Sequence, residues 1–163
     1  GNVLNSRGSV IPFFTELKRK KKTIPITDIK STRFFINLND GVNFVIDCLY
    51  KMKGGEIFVP KIPSFKIIDL ANIIDPKNMK TIIGLRPGEK VHETLISVNE
   101  TNVVEFKNFF IISPSVQLNK NKNYSLYGKD KGKMTSSHFE YESSKNKSFL
   151  VGRKLKEFIK KNI

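Results

Sequence analysis

Apolar residues in the first 97 positions follow two spacings. Some form short runs rich in β-branched and aromatic residues, which are typical of strands. Others recur every three or four positions, which is typical of amphipathic helices. Strands that alternate with helices at short intervals predict an α/β fold. The predicted strands lie at residues 2–4, 23–27, 31–36, 56–60 and 80–84. The predicted helices lie at residues 9–22, 39–53, 64–75 and 91–96.

Capping residues and prolines support these boundaries. Ser9 and Ser64 stand where a helix N-cap is expected, and Pro12 is tolerated in a first helical turn. Pro25 cannot donate to a ladder, so residues 23–27 predict an edge strand. The helix at 39–53 carries its apolar residues on one stripe and ends at two glycines. That stripe consists of Val42, Val45, Ile46, Leu49 and Met52.

The pattern changes after residue 97. Two apolar runs flank a Lys-Asn turn at 107–108 and predict a pair of strands, 103–106 and 109–112. The next stretch is rich in Lys, Asn, Ser and Gly and predicts a loop. Spaced apolar residues near the end, including Leu155 and Ile159, predict a C-terminal helix. The chain therefore divides into an α/β region at 1–115, a loop at 116–148 and a helix at 149–163.

The most informative motif is residues 84–90, Gly-Leu-Arg-Pro-Gly-Glu-Lys, which follow an apolar run expected to be a buried strand. Pro87 fixes its own φ, and Gly88 permits a turn that a Cβ would resist. A stiff corner results, on which Arg86 and Glu89 can point the same way. A guanidinium suits phosphate oxygens and a carboxylate suits vicinal hydroxyls, so this pair suits a nucleotide. The alternative is an Arg–Glu ion pair beside an ordinary turn.

Four more polar residues lie beside predicted strands. The amide of Asn2, on the first strand, can donate to a ligand oxygen. Arg7 and Ser9 lie where that strand leads into a helix, whose N-terminal amides favour anions. Arg33 interrupts an apolar strand, and it is alternatively a surface arginine. The ordered combination of these residues with the corner favours a nucleotide site.

The charge raises a second class of function. With 29 basic and 15 acidic residues the formal charge is +14, as in many proteins that bind nucleic acid or anionic membranes. Arginines are few, however, and the main basic run, residues 18–22, falls at a predicted helix end, where cations are favourable. We therefore expect most of the charge to be solvated surface. A basic module that binds RNA or an acidic partner remains the alternative.

The composition limits other chemistry. Cys48 is the only cysteine, so the chain forms no internal disulfide and no cysteine metal site, and its position in an apolar pattern predicts a core residue. No apolar run has the length of a membrane span, and no signal peptide is visible, so we expect a cytoplasmic protein without membrane contact. The sequence begins without Met inside a predicted strand, which is how a fragment begins.

Four segments, 1–14, 32–36, 54–64 and 84–90, together resemble extended short-chain dehydrogenase/reductases that act on nucleotide sugars. The most similar branch is the polysaccharide-biosynthesis branch, in particular the inverting UDP-N-acetylglucosamine 4,6-dehydratases of pseudaminic acid-type bacterial glycan pathways. The resemblance implies that residues 1–115 contain the last strands of a Rossmann-type sheet and the small α/β substrate-binding subdomain.

The resemblance also implies roles for individual residues. Asn2 would contact the sugar nucleotide near its pyrophosphate, Arg33 and Arg86 would hold the diphosphate and the nucleotide portion, and Glu89 would accept from the ribose hydroxyls. The implied substrate-binding set is Asn2, Arg7, Ser9, Arg33, Arg86 and Glu89.

The catalytic features of that family are not found in this sequence. The family binds NADP through a glycine-rich loop. It reacts through Tyr-x-x-x-Lys and Asp-Lys pairs. The reaction oxidises the sugar at C4, eliminates water across C5–C6 and returns the hydride at C6. Tyr141 and Lys145 have the Tyr-x-x-x-Lys spacing but lie after the substrate motifs, so we interpret them as a coincidence. The chain alone is therefore expected to bind a UDP-sugar without catalysis. The expected partners are the missing N-terminal Rossmann half and further copies in a homo-oligomer. A non-catalytic remnant of an epimerase or dehydratase is the third hypothesis.

Overall fold

The structure is a computed structural model that describes residues 1–115 and 123–162. The chain divides into two compact units. The first contains the described residues of Gly1–Leu38, Ile62–Glu93 and Glu142–Ile163, and the second those of Asn39–Lys61 and Thr94–Tyr141. Each unit is therefore built from segments that are distant in the sequence.

Helices and strands alternate in the first half of the chain, as the apolar pattern predicts. The elements are β1 (Asn2–Val3), α1 (Val10–Arg19), β2 (Ile24–Ile26), β3 (Thr32–Ile36), α2 (Leu38–Lys51), β4 (Ile57–Pro60), β5 (Ser64–Lys66), α3 (Ile67–Ile74), β6 (Lys80–Ile82), β7 (Thr94–Ile96), β8 (Val103–Glu105), β9 (Phe109–Ile112), β10 (Leu126–Tyr127), β11 (Asp130–Lys131), β12 (Lys133–Met134), β13 (Tyr141–Glu142) and α4 (Gly152–Asn162).

Two small sheets form the frame of the first unit. β3 lies in the middle of a three-stranded sheet, parallel to β1 and antiparallel to β5. β2 and β6 form a separate parallel pair, in which Pro25 lies opposite Thr81. Ile24 and Ile26 are fully buried, so alternation turns Pro25 and Thr27 away from the core.

The core of the first unit joins these strands to α1, α3 and α4. The rings of Phe35 and Phe65 stack at 4.1 Å between β3 and β5. α1 begins after Ser9, as predicted, and buries two residues of its apolar face. The buried cluster consists of Leu4, Ile11, Phe14, Ile24, Ile26, Phe35, Phe65, Leu70, Ala71, Leu155 and Ile159.

The second unit contains a four-stranded antiparallel sheet in the order β12-β8-β9-β4. β8 and β9 form the pair of strands predicted from the two apolar runs. Aromatic rings pack against this sheet, with Phe106 and Phe109 stacked at 4.7 Å and Tyr127 edge-on to Phe106 at 5.6 Å. Tyr141 is buried, with its ring 5.0 Å from that of Phe110.

The predicted helix at 91–96 is wrong, because this stretch is a loop followed by β7. The backbone groups that a helix would use are bonded elsewhere. The carbonyl of Val91 accepts from the backbone N–H of Thr32, and the carbonyl of Glu93 accepts from that of Ser143. These long-range partners override the local spacing of the apolar residues.

The predicted cap at Ser64 is also wrong. Residues 64–66 form β5, and α3 begins only at Ile67, after Lys66. The hydroxyl of Ser64 is buried and donates to the carbonyl of Ser143 at 2.7 Å. A serine with a distant acceptor is not available to cap the neighbouring helix.

α2 forms as predicted, but its apolar stripe faces outward among the described residues. Val42, Val45, Ile46 and Leu49 are between 44% and 64% exposed. The opposite side of the helix carries Phe44, whose ring lies 6.5 Å from that of Phe109. The stripe therefore does not contribute to the core of the second unit.

Two further expectations need correction. The strand before the corner, expected to be buried, is β6, and Ile82 and Ile83 are each about half exposed. The stretch 116–148 was predicted to be a loop; residues 116–122 lie outside the described part, and the remainder contains β10–β13.

Within the described residues, no helix is both long and apolar enough to cross a membrane.

Candidate functional site

A cleft of about 720 Å³ lies in the first unit, where the end of β1, the start of α1, the outward face of β2 and the corner after β6 meet. Five of the six predicted site residues line this cleft, and Arg7 is not among them. The lining residues used below are Asn2, Ser9, Phe13, Pro25, Thr27, Arg33, Arg86, Pro87, Gly88 and Glu89.

The corner at 86–89 is a tight turn, as the motif predicts. The backbone N–H of Glu89 donates to the carbonyl of Arg86 at 2.9 Å. Pro87 and Gly88 occupy the two central positions, and Gly88 has a φ of +79°. Proline followed by a glycine of positive φ is the signature of a type II β-turn. The carboxylate Oε2 of Glu89 also accepts from the backbone N–H of Arg86 at 3.3 Å, which ties the side chain to the same turn.

Arg33 is buried and bound almost entirely within the protein. Its Nη1 donates to the carbonyl oxygens of Thr32 at 2.8 Å and Val91 at 2.9 Å, and its Nη2 donates to Oε1 of Glu89 at 2.9 Å. Its Nε lies 3.5 Å from a carboxylate oxygen of Glu93. The alternative of a surface arginine is therefore wrong.

Arg86 has the opposite surroundings. Its side chain is exposed and lines the cleft. Its guanidinium makes no hydrogen bond or ion pair with any residue in the described part of the chain, so all five N–H donors are available to a ligand. Arg86 thus presents to the cleft a guanidinium that no described residue pairs with.

The start of α1 adds donors to the cleft. Ser9 is the N-cap of α1, yet its hydroxyl makes no capping bond, and its Oγ is buried without a partner among the described residues. The first backbone N–H groups of a helix have no partner within the helix, and together with the helix dipole they favour an anion. Asn2, on β1, is exposed and lies in the same cleft.

The alternation in β2 could have identified a residue that the sequence interpretation missed. Thr27 lines the cleft, and its hydroxyl donates to Oε1 of Glu89 at 2.9 Å. The buried residues Ile24 and Ile26 place Pro25 and Thr27 on the opposite face, so periodicity alone points Thr27 away from the core. Its acceptor is 62 residues away in the sequence.

The other titratable groups of the described residues do not form a metal centre. No group of three or more His, Cys, Asp and Glu side chains is placed to hold a metal ion there. His92 pairs through Nδ1 with the hydroxyl of Thr32 at 2.8 Å. Cys48 borders a separate cavity of about 130 Å³ in the second unit and is half buried, so it is not the core residue expected. Burial raises the pKa of its thiol, which keeps it a poor nucleophile.

Fold and cleft together define an α/β protein with a cleft that is lined by both polar and apolar residues. The chain belongs to the polysaccharide biosynthesis protein family, whose model matches residues 1–114. This membership confirms the resemblance found in the four motifs.

Curated relatives narrow the likeness. The chain is 45% identical over 163 residues to the UDP-N-acetylglucosamine 4,6-dehydratase (inverting) of Campylobacter jejuni serotype O:2, covering 98% of this chain and 49% of that protein. It is 43% identical over 101 residues to the UDP-glucose 4-epimerase of Rickettsia canadensis, covering 60% of this chain and 30% of that protein. The chain thus spans about half the length of the dehydratase that it matches.

A solved structure shows the same fold. The X-ray structure of Pen from Bacillus thuringiensis superposes with a TM-score of 0.82 at 30% identity, over 99% of this chain and 48% of that one. The predicted fold class, the α/β C-terminal part of a Rossmann-type extended short-chain dehydrogenase/reductase fold, is confirmed by this likeness and by the curated relatives.

Proposed function

We propose that the cleft binds the UDP portion of a nucleotide sugar, as the substrate-binding part of a UDP-N-acetylglucosamine 4,6-dehydratase. One observation carries this proposal: three separate segments of the sequence line a single cleft, through Asn2 and Ser9, through Arg33, and through Arg86 and Glu89. A nucleoside diphosphate needs cationic and N–H donors for its phosphates and an acceptor for its ribose hydroxyls. The cleft supplies both.

The free donors are assigned to the diphosphate. The guanidinium of Arg86 has all its N–H groups available and pairs with phosphate oxygens. The hydroxyl of Ser9 and the first amides of α1 take a second phosphate oxygen, and the amide of Asn2 donates near the pyrophosphate. Arg33, committed to internal acceptors, adds positive charge to the diphosphate region.

Catalysis and cofactor binding are assigned to the part of the relatives' length that this chain does not span. NADP, the cofactor implied by the family, needs several glycines where a strand turns into a helix. The turn from β1 to α1 contains only Gly8, and the first turn of α1 contains Pro12, which has no N–H. These residues do not fit a dinucleotide. We therefore place the NADP site and the reaction in a Rossmann half that this chain does not span. For the intact enzyme we also propose a homo-oligomer.

The dehydratase assignment and the C5-inverting outcome rest on the curated relatives. Two Campylobacter jejuni proteins described as inverting match 98% of this chain, whereas the Rickettsia canadensis epimerase matches 60%. The longer match includes the region after residue 115 and favours a dehydratase over an epimerase. A role in surface glycan synthesis of the pseudaminic acid type follows as part of the same proposal.

Calorimetric titration with UDP-N-acetylglucosamine tests the proposal. Arg86→Ala should weaken binding by about tenfold or more, because a hydrogen bond to a charged group contributes roughly 1.5–3 kcal/mol and 1.4 kcal/mol is tenfold. Arg153→Ala is the matched control, since Arg153 is an exposed arginine of α4 paired only with Glu157 among the described residues. Equal binding by the two variants would contradict the proposal.

A separate titration with RNA tests the RNA-binding alternative. Within the basic run, Lys18 donates to the carbonyl of Ile74 and Lys20 pairs with Glu16, so part of that charge is used within the fold. RNA binding with a steep salt dependence, without any response to the nucleotide sugar, would favour the alternative.

A further inference from the structure

The Glu89 carboxylate is held by donors from three separate segments. Its Oε1 accepts from the hydroxyl of Thr27, just after β2, and from Nη2 of Arg33 on β3, both at 2.9 Å. Among the described residues, its Oε2 accepts one longer bond, of 3.3 Å, from the backbone N–H of Arg86. The side chain of Glu89 is 23% exposed, so it is accessible from the cleft although it is held from behind.

The two carboxylate oxygens are therefore not equivalent. Each oxygen of a carboxylate has about two lone-pair sites for hydrogen bonds. Two bonds of 2.9 Å occupy both sites on Oε1, whereas one site on Oε2 is not used by any described residue. A ligand hydroxyl that donates to Glu89 must therefore donate to Oε2.

Arg33 has a fixed orientation for a separate reason. Its Nη1 donates to two backbone carbonyls, that of Thr32 on the same strand and that of Val91 in the loop before β7. A planar guanidinium with one end fixed to the backbone has the other end fixed in direction as well. That other end is Nη2, which points at Glu89.

We propose that Thr27 and Arg33 are positioning residues, which hold Glu89 so that Oε2 is presented to the ribose hydroxyls of a nucleoside diphosphate. Thr27 is then a determinant of ribose recognition, although its own hydroxyl is used inside the protein. This inference rests on the proposed function, because it specifies how the acceptor of that site is oriented. It also moves the main role of Arg33 from holding phosphate to holding the acceptor.

The test compares two ligands that differ only in the ribose hydroxyls. UDP and 2′,3′-dideoxy-UDP are titrated against the full chain. The dissociation constant of 2′,3′-dideoxy-UDP divided by that of UDP measures ribose recognition. Thr27→Val keeps the shape and removes the donor, and it should lower this ratio by about three- to tenfold, since a typical hydrogen bond contributes about 0.5–1.5 kcal/mol. Thr27→Ser restores the hydroxyl and should restore the ratio.

Controls separate this effect from a loss of structure. Thr135→Val is the matched variant, because it removes a threonine bond to a backbone carbonyl in the second unit. It should leave the ratio unchanged. Thr27→Ala serves as a second donor-free variant if the valine variant does not fold.

The outcomes for the two proposals differ. If the unmodified chain binds UDP better than the dideoxy ligand and the donor-free variants keep the same ratio, this inference is overturned and the proposed function stands. If the unmodified chain binds neither ligand, the proposed function fails and this inference fails with it. A ratio that falls in the valine variant and returns in the serine variant supports both.

Discussion

At the scale of single residues, the two arginines that line the cleft differ in their burial and in their hydrogen-bond partners. Arg33 is buried and joins two backbone carbonyls to Glu89, whereas the guanidinium of Arg86 has no partner among the described residues. The sequence predicted that both arginines belong to one site. It did not show their difference, because the partners of Arg33 lie 56 and 58 residues away.

This difference predicts that substitutions of the two arginines affect stability unequally. Arg33→Met should lower the free energy of unfolding by roughly 2–4 kcal/mol, because it leaves the Glu89 carboxylate and two carbonyls without their donor. Arg86→Met should change it by less than about 0.5 kcal/mol, as exposed substitutions usually do. Urea denaturation measures both, and a similar loss in the two variants would contradict the distinction.

At the scale of elements, the sequence predicts a tight turn from its own residues. It does not predict that distant segments take hydrogen-bonding groups that a helix would use. The corner at 86–89 forms as its proline and glycine require. The helix expected at 91–96 fails because the carbonyls of Val91 and Glu93 bond to other segments. A pattern of apolar spacing does not reveal such acceptors.

The corner yields a prediction of its own. Gly88 has a φ of +79°, and a Cβ there would meet nothing within 4 Å, so only backbone strain opposes a side chain. Gly88→Ala should destabilise the chain by about 1–2 kcal/mol and weaken UDP binding. Gly88→Asn is the control, since asparagine adopts positive φ more readily and should cost less. Equal melting temperatures for all three proteins would show that the turn is not strained.

At the scale of the whole molecule, the apolar face of α2 is exposed to solvent. Its stripe, Val42, Val45, Ile46 and Leu49, remains exposed among the described residues, and Tyr50 beside it is 88% exposed. The sequence predicted the stripe but not what covers it, because a stripe identifies an apolar face and not its partner. A contiguous apolar surface of this kind marks an interface.

The isolated chain should therefore self-associate through this face. Leu49→Lys should shift it toward monomer in sedimentation velocity, because a charge placed on the face disfavours its burial. Met79→Lys is the matched control, since Met79 is an exposed apolar residue of the first unit. If the unmodified chain is already monomeric at micromolar concentrations, the interface assignment is contradicted.

We propose that three separate segments of the sequence form one cleft for a uridine diphosphate. The affinity for UDP-N-acetylglucosamine, compared between Arg86→Ala and Arg153→Ala, tests it most directly. We expect the first variant to lose about tenfold or more and the second to match the unmodified chain. Identical affinities in all three proteins, or no heat of binding in any of them, would contradict the claim.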